Sequence, residues 1–264
     1  MTTARPAILC FSGHDPSGGA GIQADIETIA SHQCHTCSVI TALTRQDSRN
    51  VLHLIPQKPE DIVSQARTIL DDIPVKAFKI GLIGHVDTAL AIDEVLSNYP
   101  EIPVVLDPVL AAGGGARMST VELIEVMTER LLPRTTILTP NSEEARKLAK
   151  GQPNLDQCAI ALLEKGCDYV LITGTHENTP HVINQLFHDK QCIESYTWDR
   201  LPFNYHGSGC TLASSIASLM AHGLDAVTTV NEAQEYTWNA LKEAYKPGQG
   251  QHLPNRLYWM EESG

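Results

Sequence analysis

Short apolar segments alternate with longer amphipathic segments along most of this 264-residue chain. The apolar segments are rich in β-branched residues and have no polar face, which is typical of strands buried on both sides of a sheet. Between them, residues 59–73 place Ile62, Ala66 and Ile69 along one side of a helix. This alternation predicts a mainly parallel sheet with helices on both faces. The strands are predicted at residues 7–11, 37–43, 75–80, 104–107, 135–138 and 169–173.

Residues 182–197 depart from this alternation. Two strand-like runs flank Asp189 and Lys190, a pattern that predicts an antiparallel hairpin at one edge of the sheet. Ser119 and Glu122 have the spacing of a capping box at the start of a helix. No linker or internal repeat divides the sequence, so we expect a single α/β domain over residues 1–264. Further helices are predicted at 119–132, 209–222 and 228–245.

The charge balance restricts the classes of partner. With 19 basic and 31 acidic residues the net charge is −12, which disfavours binding to nucleic acid or to an anionic membrane. The chain has no apolar run long enough to cross a bilayer and no signal-peptide pattern, so we expect a cytoplasmic protein. Its seven cysteines are expected to be reduced thiols. Cys34 and Cys37 form a CxxC pair, but it precedes a strand instead of opening a helix, which favours a structural role over a redox or zinc site.

In a sheet of this kind, ligands bind at the carboxyl ends of the strands. Residues 12–28 follow the first predicted strand and contain "GAGIQA", which fits a dinucleotide-binding fingerprint. A Rossmann oxidoreductase fits poorly, because several residues separate the strand from these glycines and no acidic residue ends the second strand. The glycines also suit a sharp turn. Asp25 lies one turn into the next helix, where it either faces a ligand or complements the helix dipole.

Polar residues also follow two later strands. Asp107 ends an apolar strand, and a carboxylate in that position requires either a metal ion or hydrogen-bond donors. Asn141 is a natural helix N-cap, and Glu144 follows it three residues later. The same amide and carboxylate oxygens suit a hydrated Mg²⁺ ion, which takes one or two protein oxygens and keeps several waters. Capping and magnesium binding therefore both remain open for this pair.

The segment "HGSGCTLASSIASLMAHG", residues 206–223, places Cys210 at the start of a predicted helix. Gly207, Ser208 and Gly209 precede it, so the first amide groups of the helix would form an anion site. We expect the helix dipole to lower the pKa of the Cys210 thiol. Three roles remain open for this thiol: a small buried hydrophobic side chain, an acyl-transfer nucleophile, and a proton acceptor for a substrate hydroxyl beside a phosphate.

Six motifs occur in order between residues 7 and 245: "SGHDPSGGAGIQADIETI", "CSVITALTRQDSRNV", "KIGLIG", "VVLDPV", "LTPNSEEA" and "HGSGCTLASSIA". Together they resemble the hydroxymethylpyrimidine and phosphomethylpyrimidine kinases of thiamin synthesis, in the ribokinase-like superfamily. Other ribokinase-like enzymes usually carry aspartate at the position of Cys210. The resemblance implies a three-layer α/β fold, a homodimer, ATP and Mg²⁺ as cofactors, and phosphorylation of the hydroxymethyl group of 4-amino-5-hydroxymethyl-2-methylpyrimidine.

The resemblance also implies roles for individual residues. Cys210 would take the proton of the substrate hydroxyl, while the amides of Gly207, Ser208 and Gly209 would stabilise the transferring phosphoryl group. The pyrimidine would contact Gly13, Asp25, Gln46, Leu82 and Val109. The nucleotide would contact Thr173, Gly174, Gly207 and Gly209, and Mg²⁺ would be held near Asp107, Asn141 and Glu144.

Two lysines that are typical of the family are absent. Thr173 stands at one of these positions, and at the other the nearest cation in sequence is Arg117. A phosphorylated substrate adds negative charge to a site that has lost positive charge, so we expect the first phosphorylation to be retained and leave the phosphorylation of the monophosphate open. Two alternatives remain open: a pyridoxal kinase that uses the same loops, and a descendant that binds a ligand without turnover.

Overall fold

A single nine-stranded sheet connects the strands of the computed structural model, which describes residues 5–111, 114–115 and 118–263. The strands follow the order β3-β2-β1-β4-β5-β6-β7-β8-β9, and the six from β2 to β7 are parallel. The strands are β1 (Ala7–His14), β2 (His35–Gln46), β3 (Val51–Pro56), β4 (Val75–Ile80), β5 (Val104–Leu106), β6 (Ile137–Leu138), β7 (Tyr169–Ile172), β8 (His181–His188) and β9 (Gln191–Asp199). The predicted parallel sheet is confirmed.

Within the described residues there are eight α-helices, of which six lie between strands and the last two follow β9. They are α1 (Gly21–Ser31), α2 (Pro59–Asp72), α3 (Val86–Leu96), α4 (Val121–Val126), α5 (Ser142–Leu148), α6 (Leu155–Leu163), α7 (Ser208–Ala221) and α8 (Ala226–Lys242). No helix in this described part of the chain is long and apolar enough to span a membrane.

The helices form a layer on each face of the sheet. Alternate residues of β1 point to opposite faces, so Leu9 and Phe11 pack with α2 and α3, while Ile8 and Cys10 pack with α1 and α7. The first layer also contains α4, α5 and α6, and the second also contains α8. Burial of the central strands on both faces explains why their sequences are continuously apolar.

Both edges of the sheet are antiparallel. The predicted hairpin is present as β8 and β9, and its turn residues Asp189 and Lys190 both have positive φ angles, 48° and 62°. At the opposite edge β3 pairs antiparallel with β2, which the sequence analysis did not predict. The segment Val51–Pro56 is only partly buried, so its sequence lacks the apolar continuity of the central strands.

The predicted helix at 119–132 differs in detail. Thr120, not Ser119, is the N-cap of α4, and its side chain accepts a hydrogen bond from the Leu123 amide. The Ser119 hydroxyl instead donates to the Leu110 carbonyl at 3.1 Å. After Val126 the helix widens into a π turn and then tightens into a 3₁₀ turn that contains Pro133, which cannot donate to a regular helix.

Candidate active site

The glycine-rich loop after β1 and the start of α7 are in direct contact. Gly207 has a φ of +87°, and a Cβ built on it would lie 1.9 Å from the Gly19 carbonyl oxygen. Only glycine can occupy such a position. A Cβ on Gly209 would lie 3.4 Å from the Asp107 carboxylate at the end of β5. The carboxyl ends of β1 and β5 therefore meet the N-terminus of α7, as expected for the ligand site of a parallel sheet.

Cys210 lies in this cluster and is half-buried. Its thiol lies close enough to the Asp107 carboxylate and to the Gly21 amide to interact with both. Burial raises the pKa of Cys210 to about 11; Lys79 opposes this effect, whereas the carboxylates of Asp107 and Asp25 add to it. The expected lowering of this pKa by the helix dipole is therefore wrong, because desolvation and two nearby carboxylates outweigh the dipole and the lysine. All seven cysteines are free thiols.

Asp25 is fully buried beneath the site. Its carboxylate accepts hydrogen bonds from the hydroxyls of Ser12 at 2.5 Å and Ser214 at 2.6 Å, and it forms an ion pair with Lys79 at 2.8 Å. These three donors hold its two oxygens within the protein, whereas the family resemblance implied a contact with the pyrimidine. Asp25 thus supports the floor of the site and carries the counter-charge of Lys79.

Lys79 is a residue of the site that the sequence analysis missed. It lies in the buried strand β4 and is itself fully buried; a Cβ on Gly81 would lie only 2.6 Å from its Nζ. Burial tends to lower the pKa of this amine, but the charge of Asp25 outweighs that effect and raises the pKa above its usual value. The signal in the sequence was a lysine between apolar residues of a central strand, because such a charge is rarely buried without a partner.

Asp107 and Glu144 are two neighbouring buried carboxylates. Burial raises the pKa of Asp107 to about 6, although Lys79 opposes the shift. Burial and then the charge of Asp107 raise the pKa of Glu144 to about 8. A cation between them would relieve both the repulsion and the desolvation cost, so the donor set fits one hydrated Mg²⁺ ion. No cluster of three or more His, Cys, Asp or Glu side chains suited to a metal occurs among the described residues.

Asn141 and Glu144 form a complete capping box at the start of α5. The Asn141 side chain accepts from the Glu144 amide at 2.9 Å, and the Glu144 carboxylate accepts from the amides of Asn141 at 3.0 Å and Leu110 at 3.2 Å. The capping interpretation is therefore confirmed. Since one lone pair of the Asn141 oxygen is engaged, magnesium binding would depend mainly on the carboxylates of Asp107 and Glu144.

Four of the residues expected to contact the pyrimidine lie at or just after the carboxyl ends of the neighbouring parallel strands β1, β2, β4 and β5. Gly13 is buried against Leu82, since a Cβ on Gly13 would lie 2.6 Å from the Leu82 side chain. Val109 lies two residues after Asp107, its amide donates to the Asp107 carbonyl at 2.9 Å, and it is half-buried. Gln46, also half-buried, ends β2 and lines a small crevice together with His206.

Thr173 and Gly174 follow β7 and lie next to the capping box. The Ser142 amide donates to the Thr173 carbonyl at 3.0 Å. The Gly174 amide donates to the Asn184 side chain at 3.0 Å, so this amide is already engaged within the protein. Arg117, the nearest cation in sequence at one of the missing lysine positions, lies outside the described residues.

Two further hydrogen-bonded contacts between distant segments were not predicted from the sequence. The His206 ring hydrogen-bonds to the Asp15 carboxylate at 2.8 Å, which joins the glycine loop to the segment before α7. Burial tends to raise the pKa of Asp15, but hydrogen bonds from His206 and Ser17 lower it to about 2. Arg256 forms a second tie from the C-terminal segment. These pairs are 191 and 237 residues apart in the chain, so no local pattern reveals them.

A second crevice, of about 360 Å³, lies at the opposite end of the strands beside Tyr99, Arg134 and Asp168. It contains none of the carboxylates or glycines described above. The chemistry of the molecule is therefore concentrated at the carboxyl ends of the strands.

The family model described as phosphomethylpyrimidine kinase matches residues 15–255 of this chain. The hydroxymethylpyrimidine/phosphomethylpyrimidine kinase of Escherichia coli K12 is 34% identical over 246 residues, which cover 91% of this chain and 92% of that protein. The corresponding enzyme of Synechococcus elongatus is 33% identical over 260 residues, which cover 97% of this chain and 98% of that protein.

Solved structures show the same architecture. The ADP complex of Bacillus subtilis pyridoxal kinase superposes with a TM-score of 0.88 at 26% identity and covers 98% of this chain and 100% of that one. The phosphomethylpyrimidine kinase of Clostridium difficile superposes with a TM-score of 0.78 at 30% identity and covers 90% of this chain and 100% of that one. The ribokinase-like fold expected from the sequence is thereby confirmed.

Proposed function

Because this chain belongs to the phosphomethylpyrimidine kinase family, we propose that it transfers the γ-phosphoryl group of ATP to the hydroxymethyl group of 4-amino-5-hydroxymethyl-2-methylpyrimidine, in thiamin biosynthesis. The chain is a phosphotransferase. The observation that carries the proposal is the contact of Cys210 with Asp107 at the N-terminus of α7, beside the glycine loop.

In the proposed reaction, the substrate hydroxyl oxygen bonds to the γ-phosphorus, the bond from this phosphorus to its bridging oxygen breaks, and ADP leaves. The hydroxyl proton goes to the Sγ of Cys210. Because a thiol with a pKa of about 11 is protonated at neutral pH, its own proton moves on to the neighbouring Asp107 carboxylate. Phosphoryl transfer through a loose transition state requires only a modest base, so such a relay is sufficient.

The start of α7 would stabilise the transferring group. The first amides of a helix have no partner within the helix, and here they belong to Ser208, Gly209 and Cys210. The Gly207 carbonyl accepts from the Thr211 amide at 3.0 Å and from its hydroxyl at 2.8 Å, which fixes the turn that aims these amides. Donors that are fixed in advance of the reaction are the main source of stabilisation for developing charge.

Asp107 and Glu144 would hold Mg²⁺, with Asn141 beside them. The ion would supply neutralisation of phosphate charge. In this chain the Glu144 carboxylate is held by the Leu110 and Asn141 amides, so its position does not depend on the ion.

The substrate and nucleotide subsites follow from the surrounding loops. We assign the pyrimidine to the opening lined by Gly13, Leu82, Val109 and Gln46, with Asp25 beneath it as a support. The nucleotide is assigned to the loop after β7, which contains Thr173 and Gly174, and to the start of α7, which contains Gly207 and Gly209. With Thr173 at the lysine position, the first phosphorylation is expected to be retained, and separate measurement of the two steps decides whether the monophosphate is also a substrate.

A cytoplasmic homodimer is the proposed form of the enzyme. Leu43 and Ile55 face each other across β2 and β3 and are 39% and 46% exposed, and Leu52 on the same hairpin is 63% exposed. Burial of these side chains against a second copy would remove apolar surface from water. Light scattering coupled to gel filtration tests this: a monomeric mass at micromolar concentration contradicts it.

The experiment that tests the function is ADP release from Mg·ATP by the purified protein. The hydroxymethylpyrimidine, its monophosphate and pyridoxal are offered in parallel, with a Cys210→Ala variant as the control for contaminating kinases. Turnover of the hydroxymethylpyrimidine that disappears in the variant supports the proposal. Faster turnover of pyridoxal assigns the chain to the pyridoxal kinases instead, and absence of turnover by a folded wild type contradicts both.

A further inference from the structure

Arg256 is buried to an unusual degree. Its side chain is 1% exposed, and it is among the largest fully buried side chains of the molecule. An arginine is almost never buried in this way unless its donors are paired.

The guanidinium group joins three separate segments. Its Nη2 donates to the Gly19 carbonyl at 2.5 Å, its Nε donates to the Thr211 hydroxyl at 2.9 Å, and its Nη1 pairs with the Glu27 carboxylate at 2.9 Å. These partners belong to the glycine loop, to the first turn of α7 and to α1. One rigid, planar group thus sets the distances between the loop and both helices.

The same group lies directly behind the turn that opens α7. A Cβ on Gly207 would lie 2.8 Å from Nη2 of Arg256 and 1.9 Å from the Gly19 carbonyl to which Nη2 donates. The Thr211 hydroxyl that accepts from Arg256 itself donates to the Gly207 carbonyl. Arg256 therefore supports the turn both through the glycine loop and through α7.

The backbone of the C-terminal segment is fixed as firmly as the side chain. Leu253 pairs with Tyr245, the His206 amide donates to the His252 carbonyl at 2.9 Å, and the Tyr236 hydroxyl donates to the Arg256 carbonyl at 2.7 Å. The segment is thus held against α8 and against the residues just before α7. Arg256 is presented to the site by an ordered backbone.

We propose that Arg256 is a positioning residue for phosphoryl transfer, which holds the glycine loop and the first turn of α7 at the spacing that binds the phosphates of the nucleotide. This inference rests on the proposed function. Arg256 places a positive charge behind the anion site, in a chain that carries Thr173 at the position of a family lysine. The Glu27 carboxylate is 44% exposed, so solvent weakens its neutralisation of this charge.

Arg256→Met tests the proposal, because methionine fills much of the same volume without the three donors. We expect kcat/KM for ATP to fall roughly 10- to 100-fold, as displaced catalytic groups commonly cause. ADP affinity, measured by calorimetry without turnover, should fall roughly tenfold, while affinity for the pyrimidine alone changes by less than about threefold. Arg256→Lys, which keeps the charge but not the fork of donors, should recover part of the ADP affinity.

Arg134→Met is the matched control. Arg134 also forms an ion pair, with Asp93, but it lies at the opposite end of the strands before β6. The Arg134→Met variant should keep its ADP affinity, kcat and KM within about twofold of the wild type. If Arg256→Met does not fold, the same measurements on Arg256→Lys test the proposal.

Three outcomes overturn the proposal. One is unchanged ADP affinity in a folded Arg256 variant, and another is an equal loss of pyrimidine and ADP binding. The third is a failure of the wild type to bind ADP, because there would then be no phosphate site for Arg256 to position. A wild type that binds ADP but does not phosphorylate the pyrimidine contradicts only the proposed function. In that case the ADP affinities of the Arg256 variants still test the positioning role of Arg256.

Discussion

The Nζ of Lys79 lies 2.8 Å from the Asp25 carboxylate, in an ion pair whose two side chains are both completely buried. The pair lies under the catalytic cluster, and the charge of Lys79 also acts on Cys210 and Asp107. Desolvation of two charges is costly, so such a pair stabilises a fold only when both partners are present. Here the charges of the pair help to set the pKa values of Cys210 and Asp107.

Lys79→Met should lower the free energy of unfolding by about 3–5 kcal/mol, since it leaves Asp25 buried without a counter-charge. Urea denaturation measures the change. Lys76→Met is the matched control, because Lys76 lies on the same strand with an exposed side chain and should cost no more than about 0.5 kcal/mol. Equal effects of the two substitutions would contradict a role for the buried pair.

Cys210 should react slowly with iodoacetamide in the absence of ligand. A pKa of about 11, compared with about 8.5 for a free cysteine, reduces the thiolate fraction at pH 7.5 by roughly two orders of magnitude. Mass spectrometry of a Cys192→Ser background, which removes the exposed cysteine, measures the rate at Cys210. Alkylation as fast as that of glutathione would contradict the raised pKa of this thiol.

Cys210→Ala should lower kcat by roughly 10²- to 10⁴-fold and leave pyrimidine binding nearly unchanged, because it removes only the thiol that relays the substrate proton to Asp107. Cys210→Asp restores a proton acceptor of the type found in other ribokinase-like enzymes, and it should recover part of the activity. Steady-state kinetics and calorimetry make the comparison. Unfolding of Cys210→Ala, detected by circular dichroism, would instead favour a packing role.

Glu144→Gln should separate capping from magnesium binding. Glutamine also suits this position of a capping box, so the stability should change by no more than about 1 kcal/mol. The Mg²⁺ concentration needed for half-maximal activity should rise about tenfold or more, because one of the two buried carboxylates is neutralised. Glu143→Gln, on the exposed neighbour in α5, should leave the Mg²⁺ requirement unchanged. An unchanged requirement in Glu144→Gln would limit this residue to capping.

His32 should make the protein less stable in mild acid. Burial and the neighbouring His222 lower its pKa to about 4, whereas the unfolded value is about 6.5. The unfolded state therefore binds more protons between these values, so stability is complete above pH 6.5 and is lost as the pH falls toward 4. Over this range His32 contributes a loss of at most about 3 kcal/mol.

Thermal unfolding between pH 4 and pH 7 tests this contribution. His32→Gln should reduce the acid-induced loss of stability, because glutamine does not titrate but can still bond to Ser215. His53→Gln serves as the control on an exposed histidine. A pH profile identical in the His32 variant and the wild type would contradict the assignment.

The sequence determined the central architecture, because the central strands are buried on both faces and therefore carry continuous apolar runs. It also located the hairpin turn, since Asp189 and Lys190 are flanked by strand-like runs. The β2–β3 edge left no such signal. Strand β3 is partly exposed and stabilised by backbone pairing with β2, which does not depend strongly on residue type.

For the site, the sequence identified Cys210, Asp107 and Glu144 because each follows a strand or opens a helix in a short, recognisable motif. Only the tertiary structure decided what surrounds them. The pKa of Cys210 depends on Lys79 and on carboxylates far away in the chain, and Asp25 faces inward because three buried donors meet it there. The tie from Arg256 to Gly19 spans 237 residues. Local sequence sets propensity and pattern, but burial and charge pairing arise only when distant segments pack together.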